Sequence, residues 1–443
     1  MSPRLALVLC LLGGWLSAAQ SARPLVLSGG TLLDLSDFGK STRDIRDAVV
    51  VMRGDRIEAA GPRSAIAIPG DAQVVDAAGG YIVPGYFDAF ATVNNQSQAN
   101  AYLYMGVTSI VGIHDPGGRR GPLFTSANPG PTIYRLERIT GAGLDERALG
   151  ADVDRAAASG AKVLLLYYSL TPKQVALVAK RGRELGLATI GELGTTTYRE
   201  AIDADVMAFV HTSRYSLDLA PPALRAAVAG APFGPPRIKF YEFLNTVGRD
   251  DPALAHHAGL LGSGGTALIP TLSLNYLDLP DHANPWDEPA AAMLDPADIH
   301  LPADRATGRQ PEAALPRDAM PPDTTPRLMM FEQTYRAAGA KYLAGSGTDA
   351  FGTLPGISLH TELELLVRIG LTPRQALAAA TWNVGEVFGW RSIGRITPGA
   401  VGDVLIVDVD PTLTIASAKR IRTLVRAGRI VDRAPLLTGR RTQ

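Results

Sequence analysis

Few side chains in this chain are suited to chemistry. There are seven histidines and one cysteine, Cys10. His256 and His257 are adjacent, so their rings point in different directions and do not grip one ion. Neither they nor His282 and His300, which fall in helix or loop stretches, have metal-ligand spacing. His360 opens the stretch HTELELL, where capping or packing a helix is the natural role. His114 and Asp115 stand in GIHDPGG, just after an apolar run. They suit an added ligand or an acid–base pair, or simply a loop histidine with a local hydrogen bond. The G-x-S-x-G elbow of serine hydrolases is absent. Walker-type and dinucleotide-type glycine loops are absent too.

The rest of the chain must position whatever these residues do. With 443 residues it has room for one large domain and a smaller one. Lys plus Arg and Asp plus Glu both number 43, which gives no electrostatic case for nucleic acid or an anionic membrane surface. Residues 1–22 have a signal-peptide layout. Arg4 is the charged start, Leu5 to Leu16 the apolar run, and Ser17, Ala18 and Ala19 the small-residue cleavage site. The expectation is export to the periplasm or beyond, with an uncleaved anchor as the rival. A lipid on Cys10 is disfavoured because bulky Leu9 precedes it. Cleavage removes Cys10, and no later run is long and apolar enough to span a bilayer.

Residues 23–80 alternate apolar stretches with Gly and Asp turns, and a similar pattern returns over 391–443. Both ends together suggest one small sheet domain. Over 81–390, eight candidate strands alternate with helical patterns: YIVPGYFDAF, VTSIVGI, PTIYRLERI, AKVLLLYY, LATIGE, DVMAFVH, TALIPTLSL and KYLAGSGTD. One helix is expected from Thr171 to Leu185, with Thr171 as N-cap, Pro172 at its first position and Gly186 past its end. The pattern suggests an α/β fold of the (β/α)8 barrel type. Residues 280–326 carry ten prolines and little periodicity, and read as a lid or mobile insertion at the barrel's C-terminal rim.

Several stretches resemble the amidohydrolase superfamily, in particular its imidazolonepropionase-like and prolidase-like members. They are GGTLLD, VVDAAGGYIVPGYFDA, MGVTSIVGIHDPGG and GSGTDA. The tail carries the most: HTELELLVRIGLTPRQALAAATWNVGEVFG, IGRITPGAVGDVLIVDVDP and RAGRIVDR. The resemblance implies a distorted (β/α)8 TIM barrel beside a small β-sandwich made from both chain ends. It also implies divalent metal at the C-terminal ends of the strands, polarising a scissile carbonyl and supplying hydroxide.

Residue by residue, the implied metal set departs from this chain. The family's two histidines on the first strand fall on Phe90 and Thr92. Side chains at alternate positions share a face, but a phenyl ring cannot ligate and a neutral hydroxyl ligates poorly. The lysine position of the fourth strand falls on Leu165; Lys162 lies three residues earlier, on the other face. The fifth-strand histidine position holds Glu192. The sixth-strand histidine is kept as His211, and the eighth-strand aspartate, also the family's proton shuttle, as Asp349. Tyr167 and Tyr168 end the fourth strand, expected one on each face. Phe90, Thr92, His114, Leu165, Tyr167 and Glu192 are the expected pocket.

Two readings follow. The first is a degenerate homologue that binds an unknown small molecule or partner without hydrolysis or cofactor. The second is a hydrolase of amide or related C–N bonds with a site rebuilt from Glu192, His211 and Asp349, holding one divalent metal such as Zn, Mn or Fe. The small-domain edges leave room for a homo-oligomer.

Overall fold

A computed structural model describes residues 23–115, 122–141, 143–231, 234–300, 304–306 and 320–438. The leader-like segment 1–22 and much of the second half of the proline-rich stretch lie outside the described residues. Among the described residues no helix is long and apolar enough to cross a membrane.

Eight parallel strands run in chain order around a curled sheet: Tyr86–Ala91, Val107–His114, Thr132–Ile139, Val163–Leu166, Ala188–Gly191, Ala208–Val210, Ala267–Ile269 and Lys341–Tyr342. The extension of the eighth strand bonds to the first. Ala89 N–H donates to Ala344 O at 2.8 Å, and Gly347 N–H to Phe90 O at 2.8 Å. These bonds close the distorted (β/α)8 barrel. Helices follow most strands, and the local sequence sets their starts. Helix Pro172–Glu184 begins with a Thr171/Gln174 capping box, as read from sequence, and Gly186 beyond its end has φ +70°. Helices Tyr198–Asp203 and Pro373–Ala379 start with the same device at Thr197/Glu200 and Thr372/Gln375.

The second sheet draws on both chain ends. Its order runs Arg429–Val431, Ile421–Arg426, Val404–Val407, Tyr81–Pro84, Leu25–Leu32, Ile45–Arg53, Arg56–Pro62, with Gln73–Asp76 also on Leu25–Leu32. The stretch YIVPGYFDAF, expected as one barrel strand, is therefore two. Tyr81–Pro84 pairs with Val404–Val407 in the small sheet, and only Tyr86–Ala91 enters the barrel. Gly85 is the joint. A Cβ there would sit 2.3 Å from Thr108 Oγ1, so no larger residue fits the crossing.

Two other expectations change. TALIPTLSL is strand only over Ala267–Ile269, and Leu272–Asp278 is a 3₁₀ segment. The described first half of the proline-rich stretch, read from sequence as structureless, has local structure. It forms short 3₁₀ turns at Pro285–Asp287, Pro289–Met293 and Pro296–Asp298. Ala290, Ala291, Leu294 and Ile299 pack with Ala101, Met105, Leu354 and Ile357 in one apolar cluster. Proline fixes φ and removes a donor, which suits such turns and hides them from periodicity.

Candidate functional site

The first strand carries a bulge. Between Asp88 and Ala91 it advances three residues while its partner advances two, from Ile110 to Gly112. Ala89 and Phe90 consequently both join the barrel-interior cluster, with Val111, Leu136, Leu165, Ile190, Val210 and Ile269. Phe90 is 2% exposed and Leu165 1%. The extension of the eighth strand leaves room for this ring: a Cβ on Gly345 would stand 3.0 Å from Phe90 Cβ. At the bulge, Asp88 ties the first strand to the eighth, accepting from Ser346 N at 2.9 Å and Ser346 Oγ at 2.5 Å. Burial pushes the Asp88 carboxyl up to about 7.

The fifth and sixth strands end differently. His211 Nε2 lies 3.6 Å from Glu192 Oε1, with both side chains almost fully buried. Tyr168 OH donates to the same Glu192 oxygen at 3.0 Å. His211 Nδ1 lies 2.5 Å from Thr271 Oγ1, at the end of the seventh strand. The Phe90 ring meets the His211 ring edge-on, with centroids 5.3 Å apart and planes at 85°. Phe90 and Glu192 therefore both lie against His211.

The polar groups continue around the rim. Tyr167 and Tyr168 have ring centroids 4.3 Å apart, so they do not lie on opposite faces. The alternation fails because the strand ends at Leu166. The Arg138 guanidinium sits 4.8 Å from the Tyr167 ring and pairs with Asp115 at 3.4 Å. His114 ends the second strand, and its Nδ1 is buried with no hydrogen-bond partner among the described residues. Asp349 and Thr92 lie in another set built on Asn94. Asn94 Nδ2 donates to Asp349 Oδ2 at 3.0 Å, and Thr92 Oγ1 to Asn94 Oδ1 at 3.3 Å. His360, as read, packs: its Nε2 lies 2.8 Å from Met105 O, and its ring meets Tyr86 edge-on.

Both His211 and Thr271 adopt left-handed backbone, with φ of +56° and +51°. For histidine this is uncommon, and for a β-branched residue it is an outlier costing on the order of 1–3 kcal/mol. Each is held from behind by a buried glutamate. Thr212, next to His211, gives its hydroxyl to Glu332 Oε1, and Tyr342 OH donates to Glu332 Oε2 at 2.9 Å. The Thr212 carbonyl accepts from Tyr198 OH at 2.9 Å and Ser216 Oγ at 3.0 Å. Past Thr271, Ser273 N–H donates to Glu362 Oε2 at 2.7 Å. Desolvation raises Glu332 to about 7 and Glu362 to about 8.

The donors present do not fit a divalent cation. Phe90 and Leu165 have no lone pair to offer, and the phenyl edge lies against His211. Among the described residues no three His, Cys, Asp or Glu side chains group so as to hold a metal ion.

Sequence reading did not single out Asn94, Thr271, Glu332 or Glu362. Glu332 had a signal. It stands at helical spacing with Leu328, Phe331 and Tyr335, all buried on one face of Thr325–Ala337. A lone carboxylate in an apolar stripe needs donors from the structure it packs against.

Residues 324–431 match the model of the Amidohydrolase family, which is less than half of the chain. No curated protein matches in sequence. Solved structures match over nearly the whole chain. A bottromycin amidohydrolase aligns with a TM-score of 0.64 at 17% identity, covering 93% of this chain and 87% of its own. A Xaa-Pro dipeptidase with bound methionine in its active site gives 0.62 at 14%, covering 92% and 100%. A molinate hydrolase gives 0.62 at 14%, covering 96% and 98%. At such identities the likeness shows the fold. The amidohydrolase resemblance thus stands on a family match in the C-terminal part and on a fold shared with amidohydrolases and prolidase-like enzymes.

Proposed function

We propose that the chain binds a small organic molecule at the barrel mouth and does not carry out metal-dependent hydrolysis. The contact of the Phe90 ring with His211 carries this reading. It puts hydrocarbon beside the one histidine kept from the family's set. Glu192, Tyr168 and His211 supply polar contacts, and Phe90 supplies an apolar wall, the usual composition of a small-molecule pocket. The leader-like residues 1–22 support export.

The purified full-length protein should hold no stoichiometric Zn, Mn or Fe after equilibration with each. Stoichiometric metal that is lost in Asp349→Ala would overturn the proposal. The close Glu192–His211 pair favours a second reading, hydrolysis of an amide or dipeptide bond with His211 facing the carbonyl oxygen and Asp349 as base. In that case Glu192→Ala abolishes turnover of a dipeptide library.

A further inference from the structure

We infer that Thr271 is a positioning residue for His211: it fixes the imidazole as the Nδ1–H tautomer and turns a bare Nε2 toward Glu192. Thr271 Oγ1 lies 2.6 Å from the Pro270 carbonyl oxygen and 2.5 Å from His211 Nδ1. A carbonyl oxygen only accepts, so the single hydroxyl hydrogen goes to Pro270. Toward the ring the hydroxyl oxygen must then accept, and Nδ1 carries the hydrogen. A neutral imidazole has one N–H, which leaves the lone pair on Nε2. That atom is the one 3.6 Å from Glu192 Oε1.

The backbone explains why Thr271 can do this. At φ +51° the chain turns back just after the seventh strand, and this brings Oγ1 to both its own preceding carbonyl and the sixth-strand histidine. The turn is pinned on its far side. Ser273 N–H is held by Glu362, and Ser273 Oγ donates to Ser346 O at 2.8 Å. His211 is pinned separately, through Thr212 and Glu332. Two independent anchors thus set the hydroxyl and the ring against each other.

The result places the Nε2 lone pair 3.6 Å from Glu192 Oε1, the oxygen that accepts from Tyr168 OH. The tautomer is read without any ligand, so it stands or falls separately from the ligand-binding reading.

The test uses the full chain with 15N-labelled histidine and two-bond 1H–15N correlations, at a pH about two units above the ordinary imidazole value. His211 is assigned as the pattern missing from His211→Gln, which is practical with seven histidines. The wild type should show a protonated Nδ1 and a bare Nε2. Thr271→Val should lose that pattern, the hydrogen moving to Nε2, while Thr271→Ser keeps it. A wild-type pattern with Nε2 protonated would overturn the inference. So would an unchanged pattern in folded Thr271→Val. If Thr271→Val does not fold, the wild-type and Thr271→Ser spectra still decide: both must show Nδ1–H.

Discussion

The two sides of the barrel mouth are built on opposite plans. On the first and fourth strands, Phe90 and Leu165 end in hydrocarbon and need only to be filled around. On the fifth to seventh strands, Glu192, His211 and Thr271 end in polar atoms, and two of the three sit on left-handed backbone. The apolar side is held by its own packing. The polar side is held by a shell of buried hydrogen bonds from the helices behind it, through Glu332 and Glu362. The difference teaches that one barrel mouth can combine a side filled by packing with a side whose backbone strain at His211 and Thr271 is held in place by buried hydrogen bonds.

The largest effect should come from the apolar side. Phe90→Ala should destabilise by about 3–5 kcal/mol, while Phe90→Leu should stay within about 2 kcal/mol, both read from urea denaturation. Equal losses in the two variants would mean that the ring does more than fill space. On the polar side, Glu332→Gln keeps one carbonyl oxygen but puts an NH2 donor where the second carboxyl oxygen accepts, at a group that serves Thr212 and Tyr342. The expected loss is about 1–3 kcal/mol, together with a shifted His211 resonance. A loss of stability with His211 unmoved would reduce Glu332 to a scaffold role.

The smallest effect is a slope. Asp88, Glu332 and Glu362 are raised in the fold to about 7, 7 and 8, from ordinary values of 3.8, 4.5 and 4.5. A raised acid holds its proton longer in the folded state, so its contribution is full below the unfolded value and is lost as pH rises through the folded one. Stability should therefore fall between pH 6.5 and 8, by on the order of 1 kcal/mol per group. Below 6.5 the trend should flatten. Burial lowers His257 to about 3 and His360 to about 4, and their contributions are lost as pH falls. Glu362→Gln should flatten the upper limb in thermal melts taken across pH. An unchanged limb would place the slope elsewhere.

Much of this was legible in the sequence, and for a physical reason. The ligand positions that the resemblance implies are single residues at strand ends, so the presence of Phe90, Thr92, Leu165 and Glu192 at them can be read from a linear string. Strand count and the Thr171 cap were legible because periodicity and capping are local. The supports were not. Thr271 matters through a carbonyl one residue back and a ring 60 residues away, and no local pattern encodes that pairing. The split of YIVPGYFDAF was hidden because both halves are buried strand, and only the steric limit at Gly85 separates them. The pairing of Tyr167 with Tyr168 was misread because alternation was carried past the end of the strand.

The seam between Tyr81–Pro84 and Val404–Val407 sets an order of assembly. A chain made from its N-terminus produces Leu25–Leu32 and Tyr81–Pro84 early, yet their sheet keeps an unpaired edge until residue 404 is available. The residues whose bonds close the barrel, Ala344 and Gly347, are made before then. Long-range pairing of this kind is slow because loop closure must precede it. The barrel can thus form around an unfinished sheet, and Val404–Val407 becomes the strand that seals the fold, late in synthesis and next to the first residues ordered.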